Sequence, residues 1–281
     1  MTRLSEIQAH IGSMRELREI IGAMRSLAGM RVQEAQQALP GLHRYAETAV
    51  LALADSLLLL REPELPHRAI RGRLALILCT AEHGFVGGFT ERLLDAAEAV
   101  LETGDLLFAL GSRGNALALE RGRRASWAHP MPTRCAAAPE VVQHLAAELY
   151  TYIARGEVAR VDVIYARHAQ GRIATIERRL LLPLDVMSLK PRQTRQSPLH
   201  YLEPVALHEK LMDEYAFAIL TEAVVESILS ENAARFAAME SAHDNVSKKL
   251  DKLRHAEQEA RQSEITTELL DLVTGAKAQE R

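Results

Sequence analysis

The residues in this chain best able to do chemistry sit in two glycine-rich turns. The stretch TAEHGFVGGFTERLL places Gly84, Gly87 and Gly88 between a candidate strand and a candidate helix. Gly111-Ser112-Arg113-Gly114 follows a second apolar run in the same way. A helix N-terminus after such a turn presents unpaired N–H groups and can hold an anion. Neither turn carries the lysine and Ser/Thr of a phosphate loop, and neither completes the dinucleotide fingerprint. The same glycines also serve as plain strand-to-helix turns. Ser112, His83 and Glu82 are the residue types of a hydrolase, but no GxSxG motif frames them. The eleven histidines are scattered, with no HxxxH and no CxxC, so no metal site is expected. Cys79 falls inside an apolar run and reads as a buried hydrophobe, while Cys135 falls in a loop between Pro132 and Pro139.

What must position these residues follows from the placement of glycine and proline. Residues 205–281 contain no proline and one glycine, Gly275, and residues 1–60 contain one proline, Pro40. The other nine prolines and ten of the 15 glycines lie in residues 61–204. Proline breaks helix interiors and glycine weakens them, so the ends can be long helices and the middle must turn often. Three segments are expected: a helix over 1–60, an α/β domain and linker over 61–204, and a helix over 205–281.

Leu4, Ile7, Ile11, Met14, Leu17, Ile21, Met24 and Ala28 step by three or four residues along the first segment, which predicts one apolar helix face. Met239, Val246, Leu253 and Ala260 repeat every seven residues in the last, with Phe236 and Leu250 between them. That period marks a supercoiled helix pair. His243 and Glu257 interrupt the stripe. Seventy helical residues would span roughly 105 Å, more than a compact domain needs. The simplest arrangement pairs the two terminal helices as an antiparallel coiled coil. In the middle segment, residues 73–80, 106–110 and 161–166 read as buried strands, and 173–182 as a further strand stopped by Pro183. Helical patterns over 91–101 and 140–153 alternate with them. A largely parallel, Rossmann-like sheet with crossover helices is expected. Residues 190–204 read as a linker.

The composition excludes several classes of function. The chain has 281 residues, of which 48% are hydrophobic and 25% charged, which argues against disorder. Its net charge is -3, and the last segment alone carries -6, which speaks against a nucleic-acid partner. Two cysteines cannot make a disulfide framework, which fits a reducing compartment. The charged N-terminus argues against a secretory signal. The longest apolar run, residues 49–60, is interrupted by Asp55 and is too short to cross a bilayer. From the residues alone, a nucleotide- or small-molecule-binding α/β domain with coiled-coil arms and a coiled-coil adaptor both stay open.

Three motifs go further. ARQSEITTELLDLVTGAKA resembles the segment ARQA-x-ITxEL-x-EIVxGAxA of the γ subunits of F-type ATP synthases, with Arg261, Gln262, Ile265, Thr266, Glu268, Leu269 and Gly275 in register. ESILSENAARFAAMESAHDN resembles their ESxASExAARMxAMxxATxNA, with Glu226, Ser230, Glu231, Arg235, Met239 and Asn245 matching. IGSMRELREIIGAMRSLAGMRVQEAQ resembles their IxSVxNTxKITKAMxMVAxxKxRxAQ through Ile11, Ser13, Ile20, Met24, Ala28 and Gln36. TAEHGFVGGF stands where the family has TSDRGLCGGFN. The resemblance spans essentially the whole chain. Gly22 stands where the family has a lysine, Glu82 and His83 where it has Asp-Arg, and Phe236 where it has a methionine. These departures mark a divergent member, and an alternative, sodium-translocating type of synthase would accommodate them.

The resemblance implies a central rotor shaft that couples ion-driven rotation of a membrane c ring to ATP synthesis or hydrolysis on other subunits. It implies no catalytic site, cofactor, nucleic-acid contact or membrane span of its own. The partners implied are the α and β subunits, the ε subunit and the c ring, at the cytoplasmic face of a bacterial inner membrane. By matched position, Met24, Arg25, Arg235, Arg261, Gln262, Thr266 and Glu268 are expected against the αβ sleeve. Arg235 and Glu231, spaced i,i+4, would face the first helix or the sleeve, or pair with each other. Glu257 and Arg261 have the same spacing and the same alternative. Tyr201, Glu203 and Pro204 would form the foot near ε and the c ring, and Gly84, Gly87 and Gly88 would be turn glycines.

Overall fold

The computed structural model describes residues 3–60, 72–169, 173–183 and 199–279. Residues 190–198 of the expected linker lie outside the described residues, as do the side chains of Glu268 and of residues 271–279. The element order is α1 (Arg3–Leu57), β1 (Arg73–Cys79), α2 (Phe89–Glu98), β2 (Leu106–Leu110), α3 (Ser112–Glu120), β3 (Trp127–His129), α4 (Ala138–Ala154), β4 (Val158–Arg167), β5 (Thr175–Leu182) and α5 (Pro204–Gln279). The chain divides into two compact units, residues 28–235 and residues 1–27 with 236–281.

In the larger unit the strands lie in the order β3-β2-β1-β4-β5. The first four are parallel, and β5 returns antiparallel to β4. Parallel neighbours need a crossover, and α2, α3 and α4 supply them. β2 is buried along its whole length and β1 over its last five residues, because helices cover both faces of the sheet. Ile77, Phe108 and Val163 face a core shared with α4, with residues 35–53 of α1 and with residues 215–229 of α5. Leu76, Leu78 and Ile164 face a second core with Phe89, Leu93 and Leu94 of α2. The sheet is therefore mixed, with one short edge strand, β3, that the apolar pattern did not announce. Three residues are too few to show a periodicity.

α1 runs through Pro40 and several glycines. One missing N–H does not end a helix that is held by packing on both sides, here at Leu39, 6% exposed, and Ala46, 4% exposed. His43 of α1 lies 3.6 Å from carboxylates of both Glu222 and Glu226 on α5. Arg179 of β5 pairs with Glu222 at 3.5 Å. His43, Arg179 and Glu222 line a cleft of about 490 Å³.

In the smaller unit α1 and α5 run antiparallel. Gln8 Nε2 donates to Glu257 Oε1 at 3.0 Å, and Arg25 pairs with Glu240 at 3.0 Å, so position rises on one helix as it falls on the other. Ile11 and Ile21 of α1, and Met239 and Leu250 of α5, are buried. Leu17, expected in the buried stripe, is 40% exposed, and the half-buried Arg18 takes the seam position instead. A seam between helices advances 3.5 residues per turn, so 11, 14, 18, 21, 25 and 28 share it and 17 rotates out. Glu257, which broke the apolar stripe of α5, sits half-buried and accepts the Gln8 hydrogen bond.

Candidate functional site

The glycine turns come together at the carboxyl ends of β1 and β2. Thr80, just past β1, donates both N–H and Oγ1–H to the Leu110 carbonyl at 2.8 Å. Gly111 takes φ +108°, and a Cβ on Gly114 would lie 2.0 Å from Thr80 Oγ1. Only glycine permits this approach of α3 to the end of β1. In the first turn Gly87 has φ +59°, and Phe85, 68% exposed, adopts a left-handed backbone at φ 61°. Gly88 is the N-cap of α2. Nothing lies within 4 Å of a Cβ on Gly84 or Gly88, so the turn uses glycine's conformational freedom at Gly87.

The carboxylate of Glu82 lies at the start of α3. It accepts from Ser112 N–H at 2.9 Å, Ser112 Oγ–H at 2.7 Å and Met131 N–H at 2.7 Å. Burial by itself would raise its pKa, but these hydrogen bonds outweigh that and hold the carboxyl below its usual value. The arrangement does not build a hydrolase. Ser112 Oγ–H donates its hydrogen bond directly to Glu82, and His83 is exposed, with its backbone carbonyl engaged by Arg235. A serine–histidine–acid relay needs the imidazole between the other two.

Beside this cap, α5 crosses the ends of β1 and β4. Ser230 Oγ donates to the Ala166 carbonyl at 2.8 Å, and Glu226 accepts from His168 N–H at 3.3 Å. Glu231 accepts from Glu82 N–H at 3.4 Å. Arg235 binds Glu231 at 2.6 Å and Asn232 at 3.1 Å, and donates to the carbonyls of His83 at 3.2 Å and Gly84 at 3.3 Å. Burial pushes the Glu231 carboxyl up, and Arg235 opposes the shift. Arg235 is 9% exposed, with its donors turned onto the chain's own loop. Five donors at fixed angles suit an arginine to two carbonyls and a carboxylate at once. In open α/β sheets ligands bind outside the carboxyl ends of the strands, where the strand order reverses. Here the reversal falls at β1, and α5 covers that place.

The other singled-out residues lie apart from this crevice. In the smaller unit, Met24 and Arg25 are half-buried along the helix seam, and Arg25 is committed to Glu240. Arg261, Gln262 and Thr266 are exposed on α5. Arg261 pairs with Glu257 at 3.5 Å, and Thr266 Oγ1 donates to the Gln262 carbonyl at 2.8 Å. Glu268 belongs to the same helix, with its side chain outside the described residues. In the larger unit, Tyr201 is fully exposed, Glu203 precedes α5 and accepts from Leu207 N–H at 2.9 Å, and Pro204 opens the helix. Proline suits that first position, since its missing N–H has no partner there anyway. Nearby, Ser56 and His208 bridge α1 and α5 at 2.9 Å. Among the described residues no group of three or more His, Cys, Asp or Glu could hold a metal ion, and no helix is long and apolar enough to cross a membrane.

Sequence reasoning missed the role of Glu82 and the buried Asp162, which binds Arg160 and Arg178. An acidic residue three positions past β1 was the only local signal for Glu82; its partners lie 30 and 49 residues away.

Comparison with known proteins accounts for the architecture. The profile of the family described as ATP synthase matches residues 3–279. The ATP synthase gamma chain of Syntrophobacter fumaroxidans is 30% identical over 298 residues, 99% of each chain. That of Chlorobium phaeobacteroides is 26% identical over 295 residues, again 99% of each. A chain of the Euglena gracilis mitochondrial ATP synthase, solved as OSCP/F1/c-ring, shares the fold with a TM-score of 0.69 at 14% identity, covering 98% of this chain and 94% of that one. With the family matched over residues 3–279, and with two long terminal helices and a central mixed sheet, the chain belongs to the ATP synthase gamma chains, the central rotor shaft of the rotary F-type ATPase.

Proposed function

We propose that the smaller unit of this shaft turns inside a sleeve of α and β subunits, while the larger unit carries ε and the c ring. The observation that supports this is apolar surface on both helices of the smaller unit that their shared seam leaves uncovered. With the seam between α1 and α5 already closed, Leu17 is 40%, Ile20 58% and Leu27 50% exposed on α1. Ile265 is 51%, Leu269 57% and Leu270 61% exposed on α5. Apolar surface of this extent on a rod calls for a surrounding partner. Arg261, Gln262, Thr266 and Glu268 offer polar contacts beside it, and Met24 and Arg25 do so from α1. Tyr201, Glu203 and Pro204 form the foot. Arg235 and Glu231 act within the chain, tying α5 to the loop at 82–84.

Coupling then follows from differential contact. A shaft shifts a catalytic site only if it touches the site's conformations differently, and two unlike helix faces give it the necessary asymmetry. Catalysis and nucleotide binding belong to the other subunits, and the assembly stands on the cytoplasmic face of a bacterial inner membrane. Purification from membranes through a tag on the α/β domain tests this. Recovery of α and β subunits with ATPase activity, lost on truncation before Arg261, supports it. Recovery of the chain alone overturns it.

A further inference from the structure

We propose that His129 and His144 form an open two-histidine site for a divalent first-row transition ion such as Cu²⁺ or Zn²⁺. His129 is the last residue of β3 and His144 lies on α4, and their ring centres are 5.8 Å apart with the planes at 51°. A metal–nitrogen bond of about 2.0–2.1 Å, with roughly 1.1 Å more from nitrogen to ring centre, puts each ring centre about 3.2 Å from a shared ion. Two such rings then lie about 5.2 Å apart at a tetrahedral angle and about 6.4 Å apart in line. The spacing of His129 and His144 falls between these limits.

The ring of His129 is already prepared as a ligand. Its Nδ1 lies 2.9 Å from the Pro130 carbonyl oxygen. A carbonyl can only accept, so Nδ1 carries the hydrogen, and Nε2 of the neutral ring keeps its lone pair. Metal-binding histidines are held in this way, with the other nitrogen donating to a carbonyl or carboxylate. The ring plane is fixed as well. It stacks on Trp127 at 5.6 Å and 15°, and Trp127 packs on the buried Phe108 at 6.2 Å. His129 is half-buried and His144 exposed, so an ion reaches the pair from solvent. Among the described residues no third His, Cys, Asp or Glu completes a metal set, so water fills the other positions. Imidazole suits Cu²⁺ and Zn²⁺ above the harder Mg²⁺ and Ca²⁺. An ion held there staples β3, a three-residue edge strand, to α4.

Trp127 is the only tryptophan of the chain and stacks on His129, so its fluorescence reports on the site. Cu²⁺ is titrated into the untagged full-length chain, with Zn²⁺ as a competitor that does not quench. The expected result is saturable quenching that Zn²⁺ reverses. His144→Ala should need at least about tenfold more Cu²⁺, because a second ligand held at fixed spacing is lost. His129→Gln should remove the saturable phase. His144 is exposed, so its variant carries the test even if the change at His129 disturbs β3. Electron paramagnetic resonance of the bound Cu²⁺ should show both imidazoles in the wild type and a single one in His144→Ala. No saturable quenching in the wild type, equal midpoints in wild type and His144→Ala, or Cu²⁺ spectra that are the same in both, overturns the proposal.

Discussion

Asp162, with none of its side chain exposed, is gripped at one oxygen by Arg160 Nε at 2.9 Å and at the other by Arg178 Nε at 2.6 Å. The arginines keep 49% and 40% of their side chains in water, so the pair is lopsided: only the acid depends on its partners. Arg178→Ala strands half of a buried charge and should cost about 1–3 kcal/mol. Asp162→Leu removes the charge and lets both arginines turn to solvent, so it should cost less. Urea unfolding of the two variants checks the order, and a larger loss for Asp162→Leu would contradict it.

His208 is buried, 8% exposed, and burial holds its pKa below the ordinary value, with Glu209 acting weakly the other way. The unfolded chain therefore takes up this proton first, near pH 6.5. As pH falls from there through the lower folded value, the unfolded state is favoured and stability drops, by at most about 1.4 kcal/mol per pH unit. His208→Gln should lose less stability than the wild type between about pH 7 and pH 5. Equal slopes in thermal unfolding across that range would remove His208 from the account.

Two glycine-to-alanine changes should move stability in opposite directions. At Gly114 the new Cβ would lie 2.0 Å from Thr80 Oγ1 and 2.4 Å from Thr80 Cβ, so Gly114→Ala should cost about 1–3 kcal/mol or more. Gly22, where the family has lysine, has nothing within 4 Å of a Cβ and sits in a helix. Gly22→Ala should stabilise by about 0.5–1 kcal/mol. Melting temperatures of the full chain decide both.

Arg261→Ala separates folding from coupling. Arg261 is 61% exposed at its side chain and among the described residues pairs with Glu257 one turn away, so the isolated chain should change by no more than about 0.5 kcal/mol. If the arginine contacts the sleeve, ATP synthesis by the assembled complex should fall roughly tenfold, the worth of about 1.4 kcal/mol. Loss of stability in the isolated chain with normal synthesis would reverse the assignment.

The two long helices and the main strands were legible because they rest on local pattern: glycine and proline placement, a seven-residue repeat, apolar runs. Leu17 was misplaced because 3.5- and 3.6-residue periods diverge slowly, and over eight positions either fits. Arg235 was legible as a partner of Glu231, four residues away, but not as a clamp on His83 and Gly84, about 150 residues distant. Glu82 failed for the same reason. A carboxylate in a sequence shows its charge, and only the folded backbone shows which amides it answers.

Gln8 with Glu257 and Arg25 with Glu240 are contacts between residues more than 200 positions apart, made along the seam of the two helices. Leucines and isoleucines would pack almost as well after a slip of one heptad, about 10 Å along the axis. A slip toward lower positions on α5 would break both polar pairs, since Gln8 would then meet Leu250 and Arg25 would meet Ala233. They act as index marks between the two strands of a rope. In a shaft that transmits rotation, marks of this kind oppose creep of one strand along the other.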